Sequence, residues 1–328
     1  MKKLTLAAIM VLLCALSSAA QDFNKAGRTT FQFLKIGMGA RAAALGEAGI
    51  ANMQDVNAVF WNPAAVTGIK GVEAGFNYTR WFADLNVMAG AVGFRAGGLG
   101  VIALHYATLD YGTLQEALVT SPTGGVDTRT GNSFGGNDLA LGCAFARAFT
   151  DKLSIGVNAK YLREELHIYA SSLWGFDVGT YYNTGWRGIR LAMSAQNFSK
   201  QARWLDTGGA EQQRYELPLL FRVGWSIDLL GGEQLFLGGS PERYRLALNM
   251  DAVHSNDYAE RLHVGTEYVL YNLIALRGGY RINYDEGKWS FGFGLSRHIS
   301  NVKMRLDYAY VDYDFLDSPH RLTALFAF

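Results

Sequence analysis

Residues 288–311 read KWSFGFGLSRHISNVKMRLDYAYV. Trp289, Phe291, Phe293 and Leu295 share one side of a period-two pattern, and Ser290, Gly292, Gly294, Ser296 and His298 share the other. The pattern then resumes, with Val302, Met304, Leu306, Tyr308 and Tyr310 opposing Lys303, Arg305 and Asp307. Side chains alternate across a strand, so these are two strands, each with a wholly apolar face. The chain ends in the same way: His320, Leu322, Ala324, Phe326 and Phe328 oppose Arg321 and Thr323, and the last residue is aromatic.

The pattern extends back through the chain. Ile274, Leu276, Tyr280 and Ile282 oppose Arg277, Arg281 and Asn283; Tyr244, Leu246, Leu248 and Met250 oppose Arg243, Arg245, Asn249 and Asp251. A soluble sandwich alternates too, but three features favour a transmembrane barrel. The segments run about 9 to 13 residues, the length a tilted membrane-spanning strand needs. Aromatics stand near the ends of the apolar faces, at Trp225, Trp289, Tyr258, Tyr268 and Tyr310, as in an interfacial girdle. The opposite faces are rich in Gly, Ser, Asn and Arg, too polar for a sandwich core and suited to a lumen.

Fourteen segments are expected as strands: 72–79, 86–95, 99–109, 138–149, 153–167, 173–183, 188–198, 217–228, 243–252, 258–271, 273–283, 288–299, 302–314 and 320–328. The count is even, as in bacterial single-chain barrels. The long connections 110–137 and 199–216 are expected as extracellular loops. The fold class is therefore all-β, a 14-stranded antiparallel transmembrane barrel.

Composition narrows the function. The 328 residues carry 30 Lys+Arg against 29 Asp+Glu, without the basic excess of a nucleic-acid binder. Lys2 and Lys3, the apolar stretch 4–16 and Ser17-Ser18-Ala19-Ala20 read as a secretory signal peptide (1–20) cleaved before Gln21. Cys143 alone then remains of the 2 cysteines, so no internal disulfide framework is expected. No stretch of the mature chain is long and apolar enough for a membrane helix.

Residues 21–70, ahead of the barrel at 71–328, do not alternate. They contain GMGARAAALGEAGIA (37–51) and DVNAVFWNPAAV (55–66). Gly39, Gly46 and Gly49 permit close backbone packing, Arg41 lies among them, and Asn62-Pro63 stops a helix. An N-terminal helical plug, or hatch, inside the lumen is expected. With FLKIGMGARAAALGEAGIA at 33–51, DVNAVFWNPAAV and the barrel pattern, the sequence resembles the PorV/PorQ family within the FadL-like group of fourteen-stranded outer-membrane barrels. The resemblance implies that Asn62, Pro63 and Ala64 lie in the hatch, and it implies a part in type IX secretion. Members accompany the translocon or its attachment complex, and one binds the signal domain of exported cargo. Relatives such as FadL pass long-chain fatty acids or other hydrophobic molecules, which is the alternative.

Enzymatic readings are weak. Gly37 to Ala42 matches a dinucleotide fingerprint, but antiparallel strands follow where a βαβ unit is required. The six histidines show no metal-ligand spacing, and no nucleophile elbow occurs. No enzyme activity, cofactor or metal is expected. By strand parity Arg190, Arg222, Arg243, Arg245, Arg261, Arg277, Arg281 and Arg305 face inward with Lys303 against Asp177, Asp251, Glu267 and Asp307. This reads as a basic ladder that pairs across strands and holds the plug through Asp55 and Glu47; a site for fatty carboxylates is the other reading. In the first three strands both faces are apolar, expected as a wall against the Ala-rich plug or as a lateral opening. Trp204, with Arg203 and Asp206, is the expected partner-binding loop, and Phe326 and Phe328 the assembly signal. The expected partners are the outer-membrane bilayer and secretion machinery or exported cargo, with a lipid or detergent-like ligand in the lumen and no nucleic acid.

Overall fold

The computed structural model describes residues 27–119, 127–231 and 243–328; the expected signal peptide and its cleavage site lie outside the described residues. The strands are β1 (Val72–Arg80), β2 (Asn86–Arg95), β3 (Val101–Asp110), β4 (Leu114–Val119), β5 (Asp127–Phe134), β6 (Gly136–Ala148), β7 (Leu153–Leu166), β8 (Tyr169–Asn183), β9 (Arg190–Ser199), β10 (Ala202–Leu205), β11 (Glu211–Tyr215), β12 (Leu220–Leu230), β13 (Tyr244–Ser255), β14 (Arg261–Leu270), β15 (Ile274–Ile282), β16 (Trp289–Ile299), β17 (Val302–Val311) and β18 (His320–Ala327). Fourteen of them close a ring of antiparallel pairs, β1 meeting β18 with Phe76 opposite Ala324. The ring leaves no open edge in the hydrocarbon layer, where an unpaired backbone group costs several kcal/mol.

The apolar faces point outward. Phe76, Trp174, Phe291 and Leu306 are each more than half exposed, whereas Asn77, Asp177, Arg277 and Asp307 on the opposite faces are buried. Tyr258 departs from the expected girdle. It lies past the end of β13, its ring under the Arg261 guanidinium at 3.5 Å, and so turns toward the barrel mouth and away from lipid.

Both expected long loops carry structure of their own. The first holds the hairpin β4–β5; the second holds β10–β11, whose Leu205 pairs with Ala170 and extends β8 beyond the barrel wall. Strand β8 therefore begins four residues before the expected 173, at Tyr169. Because strands alternate in direction, both hairpins stand at the end opposite Gly71 and Phe328. Long connections mark the extracellular end and short turns the periplasmic one.

Residues 27–70 lie against the inward faces of the wall, but the expected helical plug is a correction. The only α-helix among the described residues is α1 (Ala40–Ala44), and short 3₁₀ turns occupy 32–35, 56–60 and 63–68. Gly39 at φ 95° and Gly46 at φ 64° end helical geometry on either side of α1. Wall side chains take up backbone donors that a helix would have paired internally: Asp251 accepts from Gly49 and Ile50, Glu73 from Val56, and Thr323 from Ala40.

Candidate functional site

The interior is divided by how each stretch of wall holds the N-terminal segment. Toward β13–β17 the contact is ionic. Arg41 donates from Nε and Nη2 to the two carboxylate oxygens of Glu267 at 2.9 and 2.8 Å. Glu267 also accepts from Arg277 Nε at 2.7 Å and Arg245 Nη2 at 2.9 Å. Arg277 Nη1 continues to Asp307 at 2.8 Å, Asp307 accepts from Arg305 Nε at 2.7 Å, and Arg305 Nη2 returns to Asp55 at 2.6 Å. Such charge-assisted bonds are stronger than neutral ones, and burial spares them from salt screening.

Higher in the lumen Glu47 stands 3.6 Å from Arg281. Burial alone would raise its carboxyl, but Arg281 and Arg321 outweigh it and hold Glu47 below the usual carboxylate range. Arg321 donates to the Gly37 carbonyl, and Arg222 lies 4.9 Å over the Trp61 ring. Arg261 is stacked between Tyr258 and Tyr284, at 3.5 and 4.0 Å. Arg245, Arg277 and Arg305 are thus brought together on two carboxylates, and Arg222, Arg261 and Arg281 surround the Glu47 region. Arg243 is apart from both groups, exposed in the turn before β13.

Toward β6–β8 the contact is made by the Asn62 side chain and the Pro63–Ala64 backbone against glycines of the wall. Asn62 caps the following 3₁₀ turn, its Oδ1 accepting from Ala64 N at 3.0 Å, and its Nδ2 donates to the Thr180 carbonyl at 3.0 Å. Gly156 faces the Pro63–Ala64 backbone and Gly179 faces Asn62, so closely that neither could carry a Cβ. Gly265 and Gly279 do the same for Leu45 and Gly46 on the opposite wall. Toward β1–β3 the contact is apolar: Val56, Val59 and Ile69 belong to one buried cluster with Ala91, Ala103 and Leu325. The doubly apolar strands therefore cover the 56–69 region, while the Ala-rich helix α1 packs on β15–β18. Gly49, expected as a packing glycine, also donates its N–H to Asp251 at 2.7 Å.

The extracellular mouth is tied by residues that periodicity could not single out. Thr30 N donates to the Glu216 carbonyl at 3.0 Å, Phe31 N to Glu164 at 2.6 Å, and Lys35 pairs with Asp257 at 2.7 Å. Phe31 takes a left-handed φ of 55° while fully buried, an uncommon backbone that its surroundings must hold. Trp204 turns inward, its Nε1 donating to Thr30 Oγ1 at 3.2 Å. Arg203 and Asp206 line a groove of about 930 Å³ between the β10–β11 hairpin, the β7–β8 tip and the ends of the β3–β6 connection. At the periplasmic end Phe328 exchanges backbone bonds with Val72 and leaves its ring 64% exposed, while Phe326 lies opposite Ala74 of β1.

Two smaller spaces lie in the interior. One of about 50 Å³ is lined by Phe33, Ile36, Val59 and Phe60 on one side and by His105, Asn158, Lys160 and Asp177 on the other. Another of about 400 Å³ lies on the periplasmic side, under Arg41, Asn52 and Asp55. No group of metal-binding side chains occurs among the described residues.

The Pseudomonas putida toluene transporter TodX is similar in fold, at 14% identity and TM-score 0.57, over 88% of this chain and 97% of that one. A TodX deltaS2S3 mutant, a monoaromatic hydrocarbon channel, aligns at 12% identity and TM-score 0.59 over 88% and 98%. The CymD monoaromatic hydrocarbon channel aligns at 12% and 0.54 over 89% and 98%. At these identities the likeness shows the fold alone. A comparison with curated protein sequences gives no match. The sequence profile described as "Type IX secretion system protein PorV" matches residues 18–186, more than half of the chain and including both N-terminal motifs. With that match and a closed fourteen-stranded barrel, the chain belongs to the PorV family of outer-membrane proteins.

Proposed function

We propose that the protein is a closed, non-enzymatic outer-membrane component of type IX secretion or cell-surface attachment, binding exported cargo or a translocon subunit at its extracellular end. In this reading residues 1–20 are removed, residues 21–70 plug the barrel with Asn62-Pro63-Ala64 as an anchoring turn, and Phe326 and Phe328 serve assembly. The carrying observation is the occupied lumen: a segment fastened on three walls leaves the 930 Å³ groove beside Arg203 and Asp206 as a large recess facing outward. Trp204 supports that groove from below by holding the hairpin to Thr30.

The second reading is transport of hydrophobic small molecules, which the fold shared with TodX and CymD favours. Size argues against it in this closed state. A cavity that holds benzene measures about 150 Å³, and the space between Phe33 and His105 in the lumen, apolar on one side and polar on the other, is about 50 Å³.

The test is photo-crosslinking from Arg203 and Asp206 in intact cells. Adducts with exported proteins sharing a C-terminal domain, or with translocon subunits, are expected. An uptake defect for hydrocarbons or fatty acids in the deletion strain, without protein adducts, would overturn the reading in favour of transport.

A further inference from the structure

Exposed acidic and basic side chains are mixed at the extracellular end, but the periplasmic end is one-sided. Arg147, Lys152, Arg187, Arg243 and Arg297 are exposed there, and Asp151 is the only exposed acidic side chain at that end among the described residues. Three of these cations stand on two neighbouring turns. Arg147 is on the lipid-facing side of β6, in parity with Leu141 and Phe145, while Lys152 and Arg187 lie in the β6–β7 and β8–β9 turns. Asn183 N joins the turns by donating to the Lys152 carbonyl at 2.8 Å, and a Cβ on Gly185 would stand 3.6 Å from Lys152 Cε. Each turn is fixed by a hydroxyl: Thr150 Oγ1 accepts from Leu153 N at 2.9 Å, and Thr184 Oγ1 from Trp186 N at 3.1 Å. Two rings project beside the cations, Phe149 at 63% and Trp186 at 58% exposed, with the Arg187 guanidinium 5.1 Å from the Trp186 ring. Arg147 and Lys152 make no ion pair or side-chain hydrogen bond among the described residues.

What covers this patch follows from where it lies. Phe145, Val157, Val178 and Tyr182 belong to the outward apolar band that the bilayer covers, and Phe149 and Trp186 continue that band past the strand ends. Aromatic rings at that depth sit at headgroup level, and cations beside them meet lipid phosphates. We propose that the β6–β7 and β8–β9 turns form a binding surface for an anionic glycerophospholipid of the inner leaflet. Arg147, Lys152 and Arg187 hold its phosphate, and Phe149 and Trp186 pack on its glycerol and upper acyl chains. A zwitterionic lipid brings the same phosphate with an ammonium group that three cations repel, so the surface selects net negative charge. The proposal is independent of what binds at the extracellular end.

The test uses the full barrel in vesicles that mix phosphatidylcholine and phosphatidylglycerol, with one lipid or the other brominated high on its acyl chains. The quenching that belongs to Trp186 is the difference from Trp186→Phe. At equal bulk fraction, brominated phosphatidylglycerol should quench Trp186 several-fold more than brominated phosphatidylcholine. Arg147→Gln and Lys152→Gln should each lower that preference about two- to fivefold, the contribution of one basic residue near an anionic surface, and the double variant more. High salt should weaken it. Lys288→Gln, in the extracellular β15–β16 turn, should leave it unchanged, and heat-modifiable migration checks that each variant is folded. In intact cells a photo-crosslinker in place of Phe149 should capture lipid. Equal quenching by the two lipids in the wild type, a preference that survives in the double variant, or capture of a periplasmic protein in place of lipid overturns the proposal.

Discussion

Glu267→Gln tests whether the N-terminal segment is held by charge. Glu267 is 1% exposed and is the common acceptor for Arg41, Arg245 and Arg277, at 2.8, 2.9 and 2.7 Å. The amide keeps the shape and removes the charge. Arg277 retains Asp307, but Arg41 is left with Asp55 at 3.6 Å, which Arg305 already engages. Removing one partner of a buried pair costs about 3–5 kcal/mol. If that loss falls on the closed state of the segment, the population of its detached state rises about a hundred- to several-thousand-fold. Hydrogen exchange of the amides of Ala43 to Ala48 reads this directly, since opening is required for exchange. Protection should fall by that factor while the β1–β18 seam remains protected. Protection unchanged within tenfold would refute the view that this network fastens the segment.

Gly279→Leu should displace Leu45 and Gly46, because a Cβ there meets their backbone; the barrel should still assemble, and reconstituted bilayers should show higher conductance. Deleting Phe326 to Phe328 removes the pairing with β1 at Ala74 and Val72 and should abolish assembly, read as loss of heat-modifiable migration. Asp257 makes the mouth acid-sensitive: burial by itself would raise its carboxyl, but Lys35, Ser255 and Thr29 outweigh this and hold it low. A depressed folded value means the stabilisation is present above the unfolded value of about 3.9 and is lost as pH falls through the folded value. Protection of Thr30 to Lys35 should therefore be constant near neutrality and drop in acid below pH ~4, an effect absent in Asp257→Asn.

Much of the wall was legible because a strand in lipid has little freedom. Each outward residue must be apolar, so Trp289 to Leu295 or Val302 to Tyr310 declare their face directly, and the inward parity of Arg245, Arg277, Arg281 and Arg305 follows. The interior was less legible because it is set by approach between distant segments. Parity turns Gly279 inward with Arg277 and Gly278 outward with Leu276, but nothing local says that Gly279 meets the backbone of Gly46. Arg41 stood among small residues and read as packing, yet its partner is Glu267, far away in sequence. Arg321 was assigned the inward parity of β18, but that parity gave no sign that it would reach the Gly37 carbonyl. The short hairpins β4–β5 and β10–β11 escaped notice because strands above the membrane, such as LQEALV and ARWL, are too short to show a sustained alternation.

The mouth and the middle of the N-terminal segment are held by different physics, and Trp204 is where the difference can be measured. From Arg41 to Ile69 the segment is pressed into glycine notches and buried ion pairs, so it opens only when those contacts are broken. From Thr29 to Lys35 its partners are Glu164, Asp257, Glu216 and Trp204, which lie at strand ends or on surface connections. Opening the mouth must expose Phe31 and Phe33, buried in an apolar cluster with Val87, Leu109 and Leu217, but it breaks none of the contacts of residues 41–69 with the glycine notches, so the mouth should open as a unit of its own. Trp204→Phe keeps the ring and deletes the 3.2 Å bond to Thr30, a loss of about 0.5–1.5 kcal/mol. Exchange at Thr30 and Phe31 should then quicken about two- to tenfold, with Ala43 to Ala48 unaffected. A partner docking in the groove beside Arg203 would press on this same hairpin and shift exchange at the same two amides. If Trp204→Phe instead altered exchange equally along the whole segment, mouth and middle would be one cooperative unit and this separation would fail.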